Sequence, residues 1–486
     1  MFTIFLGLIL VGSVRCATAQ NGTSVSGIIA SDTTWTQANS PYSLTGPVGI
    51  PSGVTLTIEP GATLYLYSYY IMVNGTLLAK GNVTDPVFFN GGWGGPNIYA
   101  ITFEPSSSNW TQATGTGCTI ENAVLNETNI SINSVSPRIN NDTLISSPIR
   151  LSDASPVISN NDFSNCGIEM MSGIYSPTLG APVIVNNSLS VGEISFGGGT
   201  SSAFATISNN TIHGGGIGGV GYAYIIDNTI SGCIDGLELN TAVVFGGSEP
   251  AYPIVERNMI TQNTYGIHIN LFGRDEVGTL CPLIENNTIS QNSVGIYLTE
   301  SQYVTTPTIT NNNFEGNSNY NIYLDQSTSN DVNVTYNWWG TTDAVMINQT
   351  MHDFKNDFTL GLVNFIPFLT APNLEAAPNP KASLPTSPSP NLITSPTQTF
   401  TLTPTSKPAI AATPGSSFSP SISLTVLPTP NQSSAASPSP GAPTTSFLPT
   451  GLIIAIVAII VVAVAFAAFL AGKKRGKKST VEVSLR

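Results

Sequence analysis

The chain has 486 residues, of which only 9% are charged, with 15 Lys+Arg against 28 Asp+Glu. Residues 20–450 carry 8 of those basic and 27 of those acidic residues, a net charge of −19. So acidic a surface repels nucleic acid and offers no phosphate clamp, and nucleic acid is excluded as a partner.

Residues 1–19 read as a signal peptide. Phe2 to Val14 form the apolar region, and Ala17-Thr-Ala19 fits the small-x-small cleavage rule. Residues 20–372 are the ectodomain, with N-terminal coils at 41–136. Val54-Thr-Leu-Thr-Ile58, Thr63-Leu-Tyr-Leu-Tyr67, Ile71-Met-Val73 and Thr76-Leu-Leu78 alternate as strands, broken by Glu59-Pro-Gly61 and Asn74-Gly75. The alternation turns Leu64 and Leu66 inward and Tyr65 and Tyr67 outward.

Residues 137–340 are a repeat. Two copies read Tyr252-Pro-Ile-Val-Glu-Arg-Asn-Met-Ile260 with Gly266-Ile-His-Ile269, and Pro282-Leu-Ile-Glu-Asn-Asn-Thr-Ile289 with Gly295-Ile-Tyr-Leu298. A marker falls at Asp142, Asn161, Asn187, Asn210, Asn228, Asn258, Asn287, Asn312 and Asn337, a mean step of about 24 residues. A unit of that length cannot bury its own apolar face and must stack. Within it the apolar period is that of strands, so each unit is one coil of a parallel β-helix of about twelve to fourteen coils. Asn at the marker suits a sharp left-handed turn, and coils stacked about 4.8 Å apart let its amide bond to the next.

On these runs the sequence resembles right-handed parallel β-helix proteins of the pectate-lyase-like superfold. The likeness is nearest to the Asn-rich coils of archaeal and bacterial surface and periplasmic proteins, including those grouped with copper-maturation and carbohydrate-binding repeats. The resemblance implies an all-β right-handed solenoid. Its copper chemistry is not carried over, because His213, His268 and His352 are far apart in sequence.

Asn337-Trp-Trp-Gly340 is expected to lid the open end of the helix. Residues 341–372 are a C-terminal cap, with a helix near Ala344–Phe354 capped by Asp343 and a strand at Leu360–Ile366. Residues 373–448 are Pro, Ser and Thr rich, an extended stalk that buries no core. Residues 451–471, with the uncharged run Leu452–Ala471, predict a transmembrane helix, and the basic tail 472–486 predicts a cytoplasmic side. The expected location is the cell membrane, single-pass, with the N-terminus outside.

Cys118, Cys166, Cys233 and Cys281 are expected as buried thiols, since 48-residue spacings separate their coils by more than disulfide reach. Thirteen Asn-x-Ser/Thr sequons lie outside the membrane. Glycans are expected mostly at Asn74, Asn82, Asn109, Asn126 and Asn348, and not at Asn186, Asn209 and Asn286, which are assigned to an inward ladder.

Outward positions of the Gly-Ile-x-Leu strands form a stripe: Glu169, Ser195, Gly218, Glu238, His268, Tyr297 and Tyr323, with Asn240, Asn270 and Asp325 beside it. Tyrosine faces there suit pyranose rings, and the polar residues suit hydroxyls. Long insertions at Thr241–Ala251 and Leu271–Cys281 are expected to wall one side. The first functional expectation is a membrane-anchored surface protein that binds polysaccharide or surface glycan, or serves in adhesion or the envelope. The second is a tethered polysaccharide lyase or glycoside hydrolase. Its carboxylates would be Glu238 with Asp235 or Glu169, and His268 lies one coil on. No cofactor is expected beyond loosely bound calcium, and no metal site.

Overall fold

The structure, a computed structural model, describes residues 22–92, 99–171, 180–197, 205–220, 223–240, 252–270, 280–299, 307–326 and 328–378. The signal peptide and membrane-span expectations and residues 379–448 of the expected stalk lie outside these residues, as do 241–251 and 271–279 of the two expected wall loops, whereas residues 373–378, expected as the start of the stalk, are described and bond to the coils. Among the described residues no helix is long and apolar enough to cross a membrane.

Each regular coil has three short strands. In one they are Ile254–Glu256, Met259–Thr261 and Tyr265–Asn270, and in the next Leu283–Glu285, Thr288–Ser290 and Val294–Thr299. Corresponding strands pair in parallel and in register: Val255 with Ile284, Ile260 with Ile289, Ile267 with Ile296. First strands stack into a 12-stranded sheet, and second and third strands into a 25-stranded one. Parallel strands joined by crossovers wind right-handed. Register is set by burial. Val255, Ile260, Ile267 and Ile269 are fully buried, each contributing about 1.5–3 kcal/mol, and a one-residue slip would expose them.

The corner between first and second strands carries the Asn pair, and its members divide the labour. The first sits in the left-handed region: Asn160, Asn186, Asn209, Asp227, Arg257, Asn286 and Asn311 have φ of 52 to 59°. The second does not. It points inward and builds the ladder, each Nδ2 donating to the next Oδ1 at 2.9–3.0 Å from Asn161 through Asn187, Asn210, Asn228, Asn258, Asn287 and Asn312 to Asn337. The left-handed turn expected at the marker therefore belongs one residue earlier. Asn186, Asn209 and Asn286 are this earlier, outer residue, so the inward placement of those three sequons is corrected. Asn186 is exposed and the other two half-buried.

A second ladder, at the corner between second and third strands, is absent from the sequence reading. Asn263 donates to Asn292 and Asn292 to Asn317, each at 3.1 Å. Cys233 stands one coil earlier at the same corner, its N–H donating to Asn263 Oδ1 at 2.9 Å. Cys118, Cys166 and Cys233 are buried free thiols, and Cys281 is half-buried.

The first ladder begins on an acid. Asp142 is 2% exposed, its Oδ1 accepts from Ala123 N at 2.7 Å, and its Oδ2 has no partner among the described residues. Oδ2 occupies the place where every later coil puts an amide Nδ2. Burial, the largest cause, holds this carboxyl well above the usual carboxylate range. Burial thus favours the protonated carboxyl here, the form that carries a donor as an amide does.

The ends depart from expectation. Strands begin at Thr23–Ile28 and Thr33–Trp35, so stacking starts before residue 41. At the far end only one of the two indoles faces the core: Trp339 stacks on Phe314 at 4.6 Å, while half-buried Trp338 lies outside and donates to Glu315 at 2.7 Å. The cap helix spans Ala344–Gln349, shorter than expected. Asp343 caps it, accepting from Val345 N at 2.9 Å. Only Val363–Asn364 of the expected final strand pairs.

The two members of one Asn pair should respond differently. Asn210→Ala breaks buried ladder bonds and is expected to cost about 3 kcal/mol, whereas Asn209→Ala costs about 1 kcal/mol, as a side chain forced into a left-handed turn. Chemical unfolding of both variants checks this, and equal losses would refute the division. Asp142→Asn tests the ladder's start. A raised folded-state pKa leaves stability intact below the ordinary value of 3.8 and erodes it as pH rises toward the folded one. The variant should therefore gain melting temperature at pH 7 and little at pH 4.

Candidate functional site

The third strands end each coil and hold three outward columns. The middle column has two runs: Arg150, Glu169, Ser195 and Gly218 are in register, and so are Glu238, His268, Tyr297, Tyr323 and His352. A bulge separates the two runs, because Ile217 pairs with Leu237 but Val220 with Leu239. Gly219 has φ 81°, and a Cβ on it would meet Phe196 O at 2.2 Å, so glycine is required there. Asp235 and Tyr265 lie in the column before, and Asn240, Asn270 and Thr299 in the column after, with Asp325 next along.

Aromatic residues crowd the last four coils. Tyr297 and Tyr323 stack at 5.2 Å and 15°, and Tyr323 and His352 at 4.1 Å and 8°. Tyr265 lies 4.6 Å from Tyr297, and Tyr320 lies 5.4 Å from Tyr323. Tyr265, Tyr320 and His352 were missed in the sequence because they precede the Gly-Ile motif or fall in the cap. The stacking also corrects an expectation. Rings at Tyr297 and Tyr323 use their faces on each other, so they offer solvent their edges and hydroxyls, not platforms for pyranose rings. Desolvation, then a hydrogen bond to Asp325, pushes the Tyr297 phenol up to about 12, so the hydroxyl keeps its proton as a donor.

Polar groups flank this ladder. His268 Nδ1 lies 3.1 Å from Asp235 Oδ1 and its Nε2 lies 3.4 Å from Thr299 Oγ1. Asn270 Nδ2 donates to Glu238 Oε1 at 3.0 Å. Glu169 is engaged elsewhere, with Arg150 Nε at 2.9 Å, and Arg150 also bonds Tyr99. The expected pairing of Glu238 with Glu169 therefore does not form. Glu193 takes its place. A Cβ on Gly218 would lie 2.7 Å from Glu193 Oε1 and 3.6 Å from Glu238 Oε2, so the two carboxylates face each other across the space that glycine leaves open. The Glu193 carboxyl is held above the usual range, first by desolvation and second by Glu238. Its register, opposite a glycine and outside the aligned column, hid it from the sequence reading.

A metal finds little here. Among the described residues no three of His, Cys, Asp and Glu converge. His268 and His352 share a column but lie three coils apart, about 14 Å. These residues do not fit a copper centre.

Of the glycan candidates, Asn82 and Asn109 are exposed, and Asn74, Asn126 and Asn348 half-buried.

Charge coupling in the carboxylate pair is measurable. In a carbon-detected titration Glu193 should titrate above ordinary glutamates, and Glu238→Gln should lower its midpoint part of the way, since desolvation persists. An unchanged midpoint would show the two groups do not interact.

The family model described as periplasmic copper-binding protein (NosD) matches residues 255–359, the coils that carry the aromatic ladder and the cap. Among solved structures, the Dettilon tailspike protein (gp208) is similar at 14% identity and a TM-score of 0.19, covering 70% of this chain. The match spans 60% of the tailspike's own length. No curated protein matches. By its stacked parallel sheets, its inward Asn ladder and the match over 255–359, the chain is a right-handed parallel β-helix protein.

Proposed function

We propose that this is a surface β-helix protein that binds a polyhydroxylated chain, a polysaccharide or surface glycan, along the third-strand face. The observation that carries the reading is the run from Glu238 through His268, Tyr297 and Tyr323 to His352 in one column. Tyrosine hydroxyls, Asn240, Asn270 and Asp325 supply donors and acceptors in rows repeating once per coil, which suits a linear ligand whose hydroxyls also repeat. Ring edges make this a hydrogen-bonding face. The membrane anchor, the stalk and a role in adhesion belong to this proposal.

A second reading, a tethered glycoside hydrolase, is favoured by one feature. Glu193 and Glu238 oppose each other, and Glu193 is biased toward its protonated form. In that role Glu193 would give a proton to the leaving oxygen, and Glu238 would act as base or nucleophile. Lyase chemistry has no comparable support.

A panel of soluble polysaccharides presented to the protein separates the readings. Under the first, one class binds without release of reducing ends, and Tyr297→Phe with Asn270→Ala weakens it about tenfold, the loss of one to two hydrogen bonds. Under the second, reducing ends appear and Glu238→Gln abolishes them. Absence of binding across the panel would sink both.

A further inference from the structure

The chain leaves its cap and climbs back up the outside of the helix. Leu369 N donates to Asn337 O at 2.9 Å in the last coil. Asn373 then reaches two coils. Its Nδ2 donates to Asn286 Oδ1 at 2.9 Å and to Asn311 O at 2.7 Å, and its N–H donates to Asn313 Oδ1 at 2.8 Å. Asn313 Nδ2 returns a bond to Asn373 O at 2.8 Å, and the Thr288 hydroxyl bonds Ala376 O. This strap is read by two kinds of position: the outer Asn of the corner pair (Asn286, Asn311) and the first residue of the second strand (Thr288, Asn313).

The fold repeats that seat. Thr143 and Asp162 lie in the same register column as Thr288 and Asn313, and Asn141 and Asn160 are the matching outer corner residues. Six coils separate the two places, roughly 29 Å along the axis. Three of the four side chains are identical in type, and the fourth is Asp in place of Asn. Here a cleft of about 230 Å³ opens, walled by Asn82 and Asn122 as well as these four. Asn141, Asn160 and Asp162 are exposed, whereas Asn313 under the strap is 8% exposed. Arg257, paired to Asp227 at 2.9 Å, occupies the corner between the two seats.

We propose that this cleft is a docking site for an extended peptide segment of another protein, read as the strap is read. Its occupant presents an asparagine side chain to Asn141 and Asn160 and its backbone to Thr143 and Asp162. Asp162 keeps the acceptor that Asn313 uses on a backbone N–H but lacks the donor for a backbone carbonyl. The site therefore favours a segment without an acidic residue beside that point, where the strap carries Glu375 two residues after Asn373. A second copy is the poorer occupant, since it carries the same net charge of −19 over residues 20–450 and its own strap is engaged.

The test uses full-length protein made without N-glycosylation, because two residues of the cleft, Asn82 and Asn141, head the sequons Asn82-Val-Thr84 and Asn141-Asp-Thr143. The probe is a labelled peptide of residues 369–378, with Glu375→Lys and Asn373→Ala versions. The lysine peptide should bind more tightly than the parent, and the alanine peptide about tenfold more weakly. Asp162→Asn, which restores the missing donor, should tighten the parent peptide severalfold. Asp162→Ala should weaken it, and Asn313→Ala should leave this site's affinity unchanged. No saturable binding at millimolar peptide, or the same affinity for all three peptides, would overturn the proposal. So would self-association of the full chain that Asp162→Arg abolishes, because the occupant would then be a second copy.

Discussion

The buried Asn ladder is the interaction on which the rest of the molecule depends. Burial of the inward apolar residues sets the register of each short strand, and the ladder locks the corner beside it. Each ladder Asn does so by bonding upward to the next amide, as Asn258 does to Asn287, and also to a carbonyl such as Ile225 O at 2.7 Å. An amide with donors and an acceptor can do both, whereas an ionised carboxylate cannot. At the ladder's first position, Asp142, burial favours the protonated carboxyl over the ionised one.

Fixed register has consequences on the outer surface. Because every coil repeats the one below, residues far apart in sequence become rows, and a row of aromatic rings at coil spacing stacks on itself. The third-strand face is thereby rigid and presents edges. Where the column meets a glycine, at Gly218, the row opens and two carboxylates fill the gap. The same repetition duplicates the corner groove, so the seat that holds Asn373 has an open counterpart at Asn141 and Asp162.

Particular residues show how much was legible beforehand. The inward apolar positions, the ladder from Asn161 to Asn337 and the column Glu238-His268-Tyr297-Tyr323 all follow from aligning one motif. The second ladder escaped because only Asn263, Asn292 and Asn317 keep its residue type, and Cys233 holds an earlier rung. Glu193 escaped because its neighbour in space is aligned through a bulge. The strap escaped because residues 373–378 look compositionally like the stalk that follows.

The amino-acid sequence by itself determined the architecture: periodic apolar residues with a recurring Asn admit only stacked coils, because no single unit can bury its face. The tertiary structure alone decided which Asn of each pair turns the chain and which one bonds, that tyrosine faces are spent on each other, and that Glu193 opposes Glu238. Those outcomes depend on which atoms of adjacent coils meet across about 4.8 Å, a distance that has no counterpart along the chain.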